Sequence, residues 1–282
     1  MGLSKLNEIT KEAIAHMRRI IDSHPPGAFC WIELSTTDQN AAKSFYNSLF
    51  GWTAKDFPMG PNDFYTMFQL EGRDTGAAYT MRPEQRSQGM PPHWTIYIAV
   101  ANVDEAAGHV PALGGKVIAP PMDVFDAGRM AVVQDPTGVF FHLWQSKTHA
   151  GLGITGVPGT LCWADLTTPD TERAKSFYSG LLGWQISKGE NSPSGYLHIK
   201  NGEEFIGGMV PSSFAPPNTP PNWMAYIYVA NCDETTAKCS QVGGKTLMAP
   251  MNIEKIGRMA ILADPQGAVF SAFAAEGSVQ SS

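Results

Sequence analysis

The chain has little charge and no long apolar run, and both absences exclude classes of partner. Charged residues make up 16% of its 282 residues, below the average of about a quarter, and no basic cluster occurs. We therefore expect no nucleic-acid partner. No apolar stretch approaches the roughly 20 residues that span a bilayer, and charges interrupt the N-terminal segment, unlike in a signal peptide. We expect no membrane partner and a cytoplasmic location.

Cysteine is also scarce. The four cysteines, at positions 30, 162, 232 and 239, form no CxxC pair. This pattern indicates neither a zinc knuckle nor a disulfide framework, so we expect buried free thiols. Glycine and proline, by contrast, are frequent, with 28 and 21 residues. They predict short strands and turns rather than long helices.

An internal duplication determines the predicted architecture. Residues 30–52 (CWIELSTTDQNAAKSFYNSLFGW) match residues 162–184 (CWADLTTPDTERAKSFYSGLLGW) at 13 of 23 positions. A later block, GRMAVVQDPTGVFF, recurs 129 residues on as GRMAILADPQGAVF. The sequence therefore predicts two domains and three connecting or terminal segments. They are an amphipathic helix over 1–25, a first domain over 26–145, a glycine-rich linker over 146–158, a second domain over 159–275 and a tail over 276–282.

Within each repeat the pattern predicts a strand, a helix and three strands, and then the same order again. Phe29 to Ser35 reads as the first strand, Asp38 can cap the helix that follows, and Gly51 ends that helix. Each repeat would thus hold two βαβββ units. The predicted fold class is α+β, a tandem duplication in which each repeat forms an incomplete barrel with helices outside.

Three motifs carry a family resemblance. The helix pattern TxDxxAAxxFYxxLFGW, a GGK after the second helix and a DPxG turn before the last strand occur in the first repeat, and all three recur in the second, where Arg173 and Leu182 replace one Ala and the Phe of the helix pattern. They resemble the glyoxalase, bleomycin-resistance and extradiol-dioxygenase superfamily, also called vicinal oxygen chelate proteins, and in particular its two-domain subgroup, which includes a mycobacterial secreted antigen. The resemblance covers nearly all of the chain beyond residue 25. It makes secretion an alternative to the cytoplasm, and it leaves lyase, isomerase, dioxygenase and drug-sequestering activities open.

The resemblance also implies where metal ligands would stand. In the first repeat those positions are Trp31, Thr95 and His142; in the second they are Trp163, Met224 and Ser271. An indole nitrogen cannot serve as a ligand, and a thioether binds hard divalent ions poorly. We therefore expect no metal cofactor. A shifted set, Glu33, His93 and His142, is the alternative site for zinc, nickel, iron or manganese, because strand positions two apart share a face.

The same alternation predicts an aromatic concave face in each repeat. Such a face suits a flat or hydrophobic ligand. The predicted ligand-binding residues are Phe29, Trp31, Thr95, Phe140 and Trp144 in the first repeat and Trp163, Asp165, Met224, Tyr226 and Ser271 in the second. Trp94 and Trp223 alternate to the opposite face, so we expect them in the core.

Polar groups on this face are candidates for acid–base chemistry. Glu33 or Asp165 would be the base, His142 an acid or base, and Tyr97 or Tyr226 a hydrogen-bond donor. Burial beside tryptophan would raise the pKa of the carboxyl group. The alternative is structural, with salt bridges from Arg129 to Glu33 and from Arg258 to Asp165.

Three functions follow as expectations. The first is a protein that lacks the usual metal ligands and binds or sequesters a small aromatic or amphipathic metabolite, its small-molecule partner, with the proline-rich loops 81–92 and 210–221 as lids. The second is a glyoxalase- or isomerase-type enzyme, a lyase or dioxygenase relative, using the shifted metal site or metal-free acid–base catalysis. The third is an assembly module, with a homodimer as its simplest form.

Overall fold

Each sequence repeat folds into its own sheet in the computed structural model, which describes residues 19–61, 63–189, 195–216 and 219–276. The first repeat contains β2 (Phe29–Thr36), α1 (Gln39–Phe50), β3 (Thr53–Gly60), β4 (Asp63–Leu70), β5 (Arg73–Thr80), α2 (Pro83–Ser87), β6 (His93–Ala99), α3 (Val103–His109), β7 (Lys116–Val124), β8 (Gly128–Gln134) and β9 (Phe140–Ser146). The second contains β11 (Leu161–Thr168), α4 (Thr171–Leu182), β12 (Gln185–Ser187), β13 (Leu197–Asn201), β14 (Glu204–Pro211), a 3-10 turn (Ser212–Phe214), β15 (Asn222–Tyr228), α5 (Cys232–Gln241), β16 (Lys245–Ile253), β17 (Gly257–Ala263) and β18 (Val269–Ala275).

The two sheets have the same topology. Among the described residues each has eight strands, in the order β3-β4-β5-β2-β6-β9-β8-β7 and β12-β13-β14-β11-β15-β18-β17-β16. An antiparallel pair, β2 with β6 or β11 with β15, lies at the centre, and a parallel pair flanks it on each side. Each sheet is therefore two βαβββ units joined edge to edge. The predicted α+β tandem duplication is confirmed.

Local sequence sets the ends of the long helices as predicted. The Asp38 side chain accepts a hydrogen bond from the Ala41 backbone nitrogen at 2.9 Å, which caps α1. Gly51 ends the helix with a φ of 74°, a left-handed conformation that favours glycine. Asp170 and Gly183 do the same for α4.

The helices lie on the convex side of each sheet and join the two repeats. The Tyr46 hydroxyl on α1 donates to Asp264 Oδ2 at 3.1 Å, in the DPxG turn of the other repeat, and accepts from Trp94 Nε1 at 3.0 Å. The matched set in the opposite direction is Tyr178, Asp135 and Trp223, with both bonds at 3.0 Å. Trp94 and Trp223 are buried, as expected, and the structure adds that they lie in the interface between the repeats.

The segments outside the repeats differ from the prediction. Residues 1–18 of the predicted N-terminal helix, and 277–282 of the tail, lie outside the described residues. The remainder of the first segment is not helical, because Arg19–Ile20 forms a short strand, β1, that pairs with β10 (Ile154–Thr155) in the linker. The linker packs on the first repeat, where the Leu152 backbone nitrogen donates to the Cys30 carbonyl at 2.8 Å. The linker therefore supplies β10, with which β1 pairs.

Two further sequence-based expectations concern the cysteines and membrane-spanning helices. All four cysteines are free, as predicted; Cys162 is half-buried and the others are buried. No helix in the described part of the chain is long and apolar enough to cross a bilayer.

Removing one hydroxyl should test the interface between the repeats. In Tyr178→Phe, Asp135 and Trp223 both lose a buried partner, so we expect the free energy of unfolding to fall by about 1–3 kcal/mol. Urea denaturation measures it. Ser44→Ala is the control, because it removes an exposed hydroxyl that bonds only to the Asn40 carbonyl within α1; its cost should be about 1 kcal/mol or less. Equal losses would contradict the role of Tyr178 between the repeats.

Candidate functional site in the first repeat

A buried carboxyl group held by phenols forms the centre of the first concave face. Tyr65 donates its hydroxyl proton to Glu33 Oε2 at 2.7 Å, and Tyr97 also donates to this carboxyl group. Trp31 Nε1 in turn donates to the Tyr65 hydroxyl at 3.2 Å. Burial raises the pKa of Glu33, and the two phenols offset part of that rise. We call the concave face of each sheet its cup. At the centre of the first cup, the Glu33 carboxyl group is therefore protonated more readily than it would be in solvent.

Strand register brings these groups together. Glu33 lies opposite Thr95, and Trp31 opposite Tyr97, across the central antiparallel pair. Directly opposed residues point to the same side of a sheet, and so do residues two apart on one strand. Tyr97 continues the face to His142 on the parallel neighbour β9. The predicted concave position of Trp31, Glu33, Thr95, Tyr97 and His142 follows from this register.

His142 is an uncharged group on the same concave face, next to Tyr97. Its ring centroid lies 4.3 Å from that of Tyr97, edge to face at 82°. Its Nδ1 atom is buried, and no described residue forms a hydrogen bond with it. Burial lowers the pKa of His142 to about 3, with a smaller contribution in the same direction from His93. The imidazole is therefore neutral near pH 7.

The linker closes one end of the cup. The His149 ring contacts Trp31 and Trp144 edge to face, with centroid distances of 4.7 Å and 6.1 Å. Trp144 Nε1 donates to the His149 carbonyl at 3.2 Å. Both tryptophans are almost fully buried. They form the closed floor of the cup rather than its open surface.

The open surface is apolar. Phe140 is 50% exposed and lies two residues before His142, on the same face of β9. Met122 is 42% exposed, and the register from Met122 through Met130 to Trp144 places it on this face as well. A ligand entering the cup would meet these side chains before the carboxyl group.

The second cup has the same plan, but its carboxyl group is fully occupied. Asp165 Oδ2 accepts from Tyr226 at 2.7 Å, and Oδ1 accepts from Tyr196 and from Trp163 Nε1, both at 2.9 Å. The Gly208 backbone nitrogen is a further donor. A Cβ atom at Gly208 would clash with the Tyr196 hydroxyl, so the close packing needs glycine. Burial raises the pKa of Asp165, and these four donors offset part of that rise.

The remaining predicted residues of the second cup pack into its core. Ser271 stands at the position of His142, is fully buried and donates to the Ala260 carbonyl at 3.1 Å. Met224 lies opposite Asp165 and packs in one apolar cluster with Trp163. No polar group in this set matches the unpartnered nitrogen of His142.

The predicted placement of Phe29 is wrong. Phe29 is not on the concave face, because a β-bulge between Phe29 and Trp31 reverses the alternation. Its ring packs instead against Trp184 and Trp223, at centroid distances of 5.4 Å and 5.2 Å, in the interface between the repeats.

The predicted salt bridges to the cup carboxylates are also wrong. Arg129 pairs with Asp104 at 2.7 Å, and Arg258 with Asp233 at 2.6 Å. Alternation explains this, because Arg129 neighbours Met130 on β8 and so faces the convex side. Neither arginine neutralises the carboxyl group of a cup.

The residues at the family's ligand positions do not fit a metal ion. The Trp31 nitrogen donates its proton to Tyr65 and has no lone pair to offer. Across the residues that the structure describes, no three His, Cys, Asp or Glu side chains come together in a group that could hold a metal ion. The shifted set of Glu33, His93 and His142 is therefore not assembled as a chelating group.

Sequence comparisons identify the family. The model of the Glyoxalase/Bleomycin resistance protein/Dioxygenase superfamily matches residues 28–143 and 160–271. The chain is 40% identical over 247 residues to "Putative glyoxylase CFP32" of Mycobacterium tuberculosis, covering 86% of this chain and 92% of that protein. It is 34% identical over 264 residues to "Anthracycline biosynthesis protein DauV" of Streptomyces sp. strain C5, covering 87% and 92%.

Solved structures share the fold at low sequence identity. The Mn(II)-bound glyoxalase from Novosphingobium aromaticivorans superposes with a TM-score of 0.62 at 16% identity, covering 92% of this chain and 83% of that one. The 2,3-dioxygenase LapB from Pseudomonas sp. KL28 has a TM-score of 0.62 at 14% identity, covering 88% and 93%. At these identities the likeness concerns the fold alone.

The lowered pKa of His142 predicts how the free energy of unfolding depends on pH. Its folded-state pKa of about 3 lies below the ordinary value of 6.5, so protons bind the unfolded chain first and stability falls as pH drops from about 6.5 towards 3. Between pH 7 and pH 5 the wild type should lose about 1–2 kcal/mol more than His142→Gln in urea denaturation. His109→Gln, on an exposed helix end, is the control and should follow the wild type. Parallel pH profiles of wild type and His142→Gln would contradict the buried, neutral imidazole.

Proposed function

Because the chain belongs to the Glyoxalase/Bleomycin resistance protein/Dioxygenase superfamily, we propose that the cup of its first repeat binds a small, flat, uncharged aromatic metabolite without a resident metal. The observation that carries this proposal is the pair of buried polar groups on the concave face, the Glu33 carboxyl and the neutral His142 imidazole, beneath the half-exposed ring of Phe140. The activity is binding or sequestration.

The charge state of the cup favours an uncharged ligand. Burial raises the pKa of Glu33 and lowers that of His142, and both shifts favour the neutral form. An anionic ligand would lose its hydration and would find no opposite charge in return, because His142 is neutral. Aromatic rings from Tyr97, His142 and Phe140 offer edges and faces to a planar molecule. These features support a neutral aromatic body in this cup.

The difference between the repeats supports the first as the binding site. Asp165 accepts from three side chains and one backbone nitrogen, whereas Glu33 accepts from two phenols. Ser271 uses its hydroxyl within the sheet, whereas His142 Nδ1 has no partner among the described residues. A buried polar atom without a partner has most to gain from a ligand.

The relatives support the same chemical class. The name of the Streptomyces relative refers to anthracycline biosynthesis, and anthracyclines contain a flat polycyclic ring system. The mycobacterial relative is named as a glyoxylase, which favours a second candidate function.

That second candidate is a metal-free acid–base enzyme of the glyoxalase or isomerase type. It is favoured by the raised pKa of Glu33 next to two phenols. Binding is preferred because His142, with a pKa of about 3, is a weak base near pH 7.

Location and assembly are proposals too. Four free thiols favour a reducing compartment, so we propose the cytoplasm, with secretion as the alternative. A homodimer stays a prediction.

Glu33→Gln distinguishes the two candidate functions. The amide still accepts a phenol proton, so a binder should keep its affinity for an aromatic probe within a few-fold. An enzyme that uses Glu33 as acid or base should lose turnover by about 10²–10⁴-fold. The assay follows isomerisation of the hemithioacetal of methylglyoxal and glutathione in the presence of a chelator. Chelator-resistant turnover that is lost in Glu33→Gln would contradict the binding proposal.

A charge introduced at Phe140 tests the binding site directly. Wild type should bind 9-fluorenone saturably at one site in equilibrium dialysis. Phe140→Glu should weaken that binding at least about tenfold, because the ligand would have to desolvate a carboxylate. Val269→Glu changes the matched position of the second repeat and should leave the affinity unchanged. Loss in Val269→Glu alone would place the ligand in the other cup, and no saturable binding by wild type would contradict the proposal.

A further inference from the structure

We propose that the ligand of the first cup carries a carbonyl or similar acceptor oxygen, and that the Tyr79 hydroxyl donates a hydrogen bond to it. This inference rests on the proposed function and adds the chemical class: aromatic ketones, quinones and related carbonyl compounds. It concerns a residue that neither the motifs nor the family's ligand positions include.

The hydroxyl of Tyr79 already accepts two hydrogen bonds. Ser35 Oγ donates to it at 2.5 Å, and Gln85 Nε2 donates to it at 2.9 Å. A phenolic oxygen has two acceptor positions and one proton. Because both acceptor positions are occupied, the proton of Tyr79 is left to donate elsewhere.

The geometry of α2 fixes the direction of the second donor. Gln85 Oε1 accepts from the Arg82 backbone nitrogen at 2.9 Å. This bond orients the side-chain amide, so its nitrogen, and not its oxygen, faces Tyr79. The predicted lid loop 81–92 thus contributes a donor that holds the phenol in place rather than one that reaches the ligand itself.

The proton of Tyr79 is the uncommitted one among the phenols of this cup. Tyr65 and Tyr97 both donate to Glu33. Tyr79, on β5, lies opposite Tyr65 on β4 and opposite Ser35 on β2, on the concave face. In the described part of the chain, no hydrogen bond runs from its hydroxyl to an acceptor.

Tyr79 is also accessible to a ligand and close to the polar centre. Its side chain is half-buried, at the end of the cup opposite the His149 closure. It is near enough to Tyr65 and Tyr97 to raise the pKa of each electrostatically, as a minor contribution after burial and the Glu33 charge. An acceptor bound at Tyr79 would lie on the same concave face as Tyr65 and Tyr97.

The second repeat lacks this donor. Val210 stands at the matched position, opposite Thr167 as Tyr79 is opposite Ser35. The donor and the unpartnered His142 Nδ1 therefore occur in the same cup and in the same repeat.

A pair of probes that differ in one carbonyl group tests the inference. Equilibrium dialysis measures the dissociation constants of 9-fluorenone and of fluorene, which has the same rings without the oxygen. In Tyr79→Phe the affinity for 9-fluorenone should fall about 2- to 10-fold, as expected for one hydrogen bond. The affinity for fluorene should change less than about twofold, because the aromatic contacts are kept. Tyr196→Phe, which removes a phenol from the second cup, should affect neither probe.

Each outcome bears on one claim. If Tyr79→Phe leaves 9-fluorenone binding unchanged while Phe140→Glu still weakens it, the donor role of Tyr79 is wrong and the proposed function stands. Equal losses for the two probes in Tyr79→Phe would likewise contradict a specific bond to the carbonyl oxygen. If wild type binds neither probe, the proposed function fails and this inference fails with it.

Discussion

The hydrogen bond between a helix tyrosine of one repeat and the DPxG aspartate of the other is the contact on which the molecule depends. Tyr46 with Asp264, and its counterpart in the opposite direction, hold the convex faces together through buried hydroxyl and carboxyl groups. Because the helices and Trp94 are used in that interface, the concave face of each sheet is left for other purposes. The duplication thus gives one rigid support and two cups that can diverge.

The two cups have diverged at the carboxyl group on the central strand. Asp165 is the shorter side chain, and the glycine at position 208 lets phenol and backbone donors surround it. Glu33 is one methylene longer and accepts from fewer donors, and His142 on the same face has an Nδ1 atom without a partner among the described residues. The same scaffold therefore holds one saturated polar centre and one that can still gain a partner. In neither cup do the family's ligand positions carry residues that hold a metal ion.

The sequence predicted what depends on periodicity and failed where tertiary packing decides. The repeat, the Asp38 cap and the opposite faces of Trp31 and Trp94 follow from local pattern, and the structure agrees. Phe29 was misplaced because a bulge is invisible to strict alternation. Tyr65 and Tyr79 were missed because only the pairing of β4 with β5, and of β5 with β2, brings them to the concave face, although Tyr65 recurs as Tyr196 131 residues later. The position of His149 depends on how the linker packs.

The most direct test of a metal-free aromatic site in the first repeat is a crystal structure of the protein grown with 9-fluorenone. The account predicts the rings against Phe140 and Tyr97, the carbonyl oxygen within hydrogen-bond distance of the Tyr79 hydroxyl, and the second cup empty of ligand. A map with the ligand only beside Asp165, or with a metal ion bound by Glu33 and His142, would contradict it.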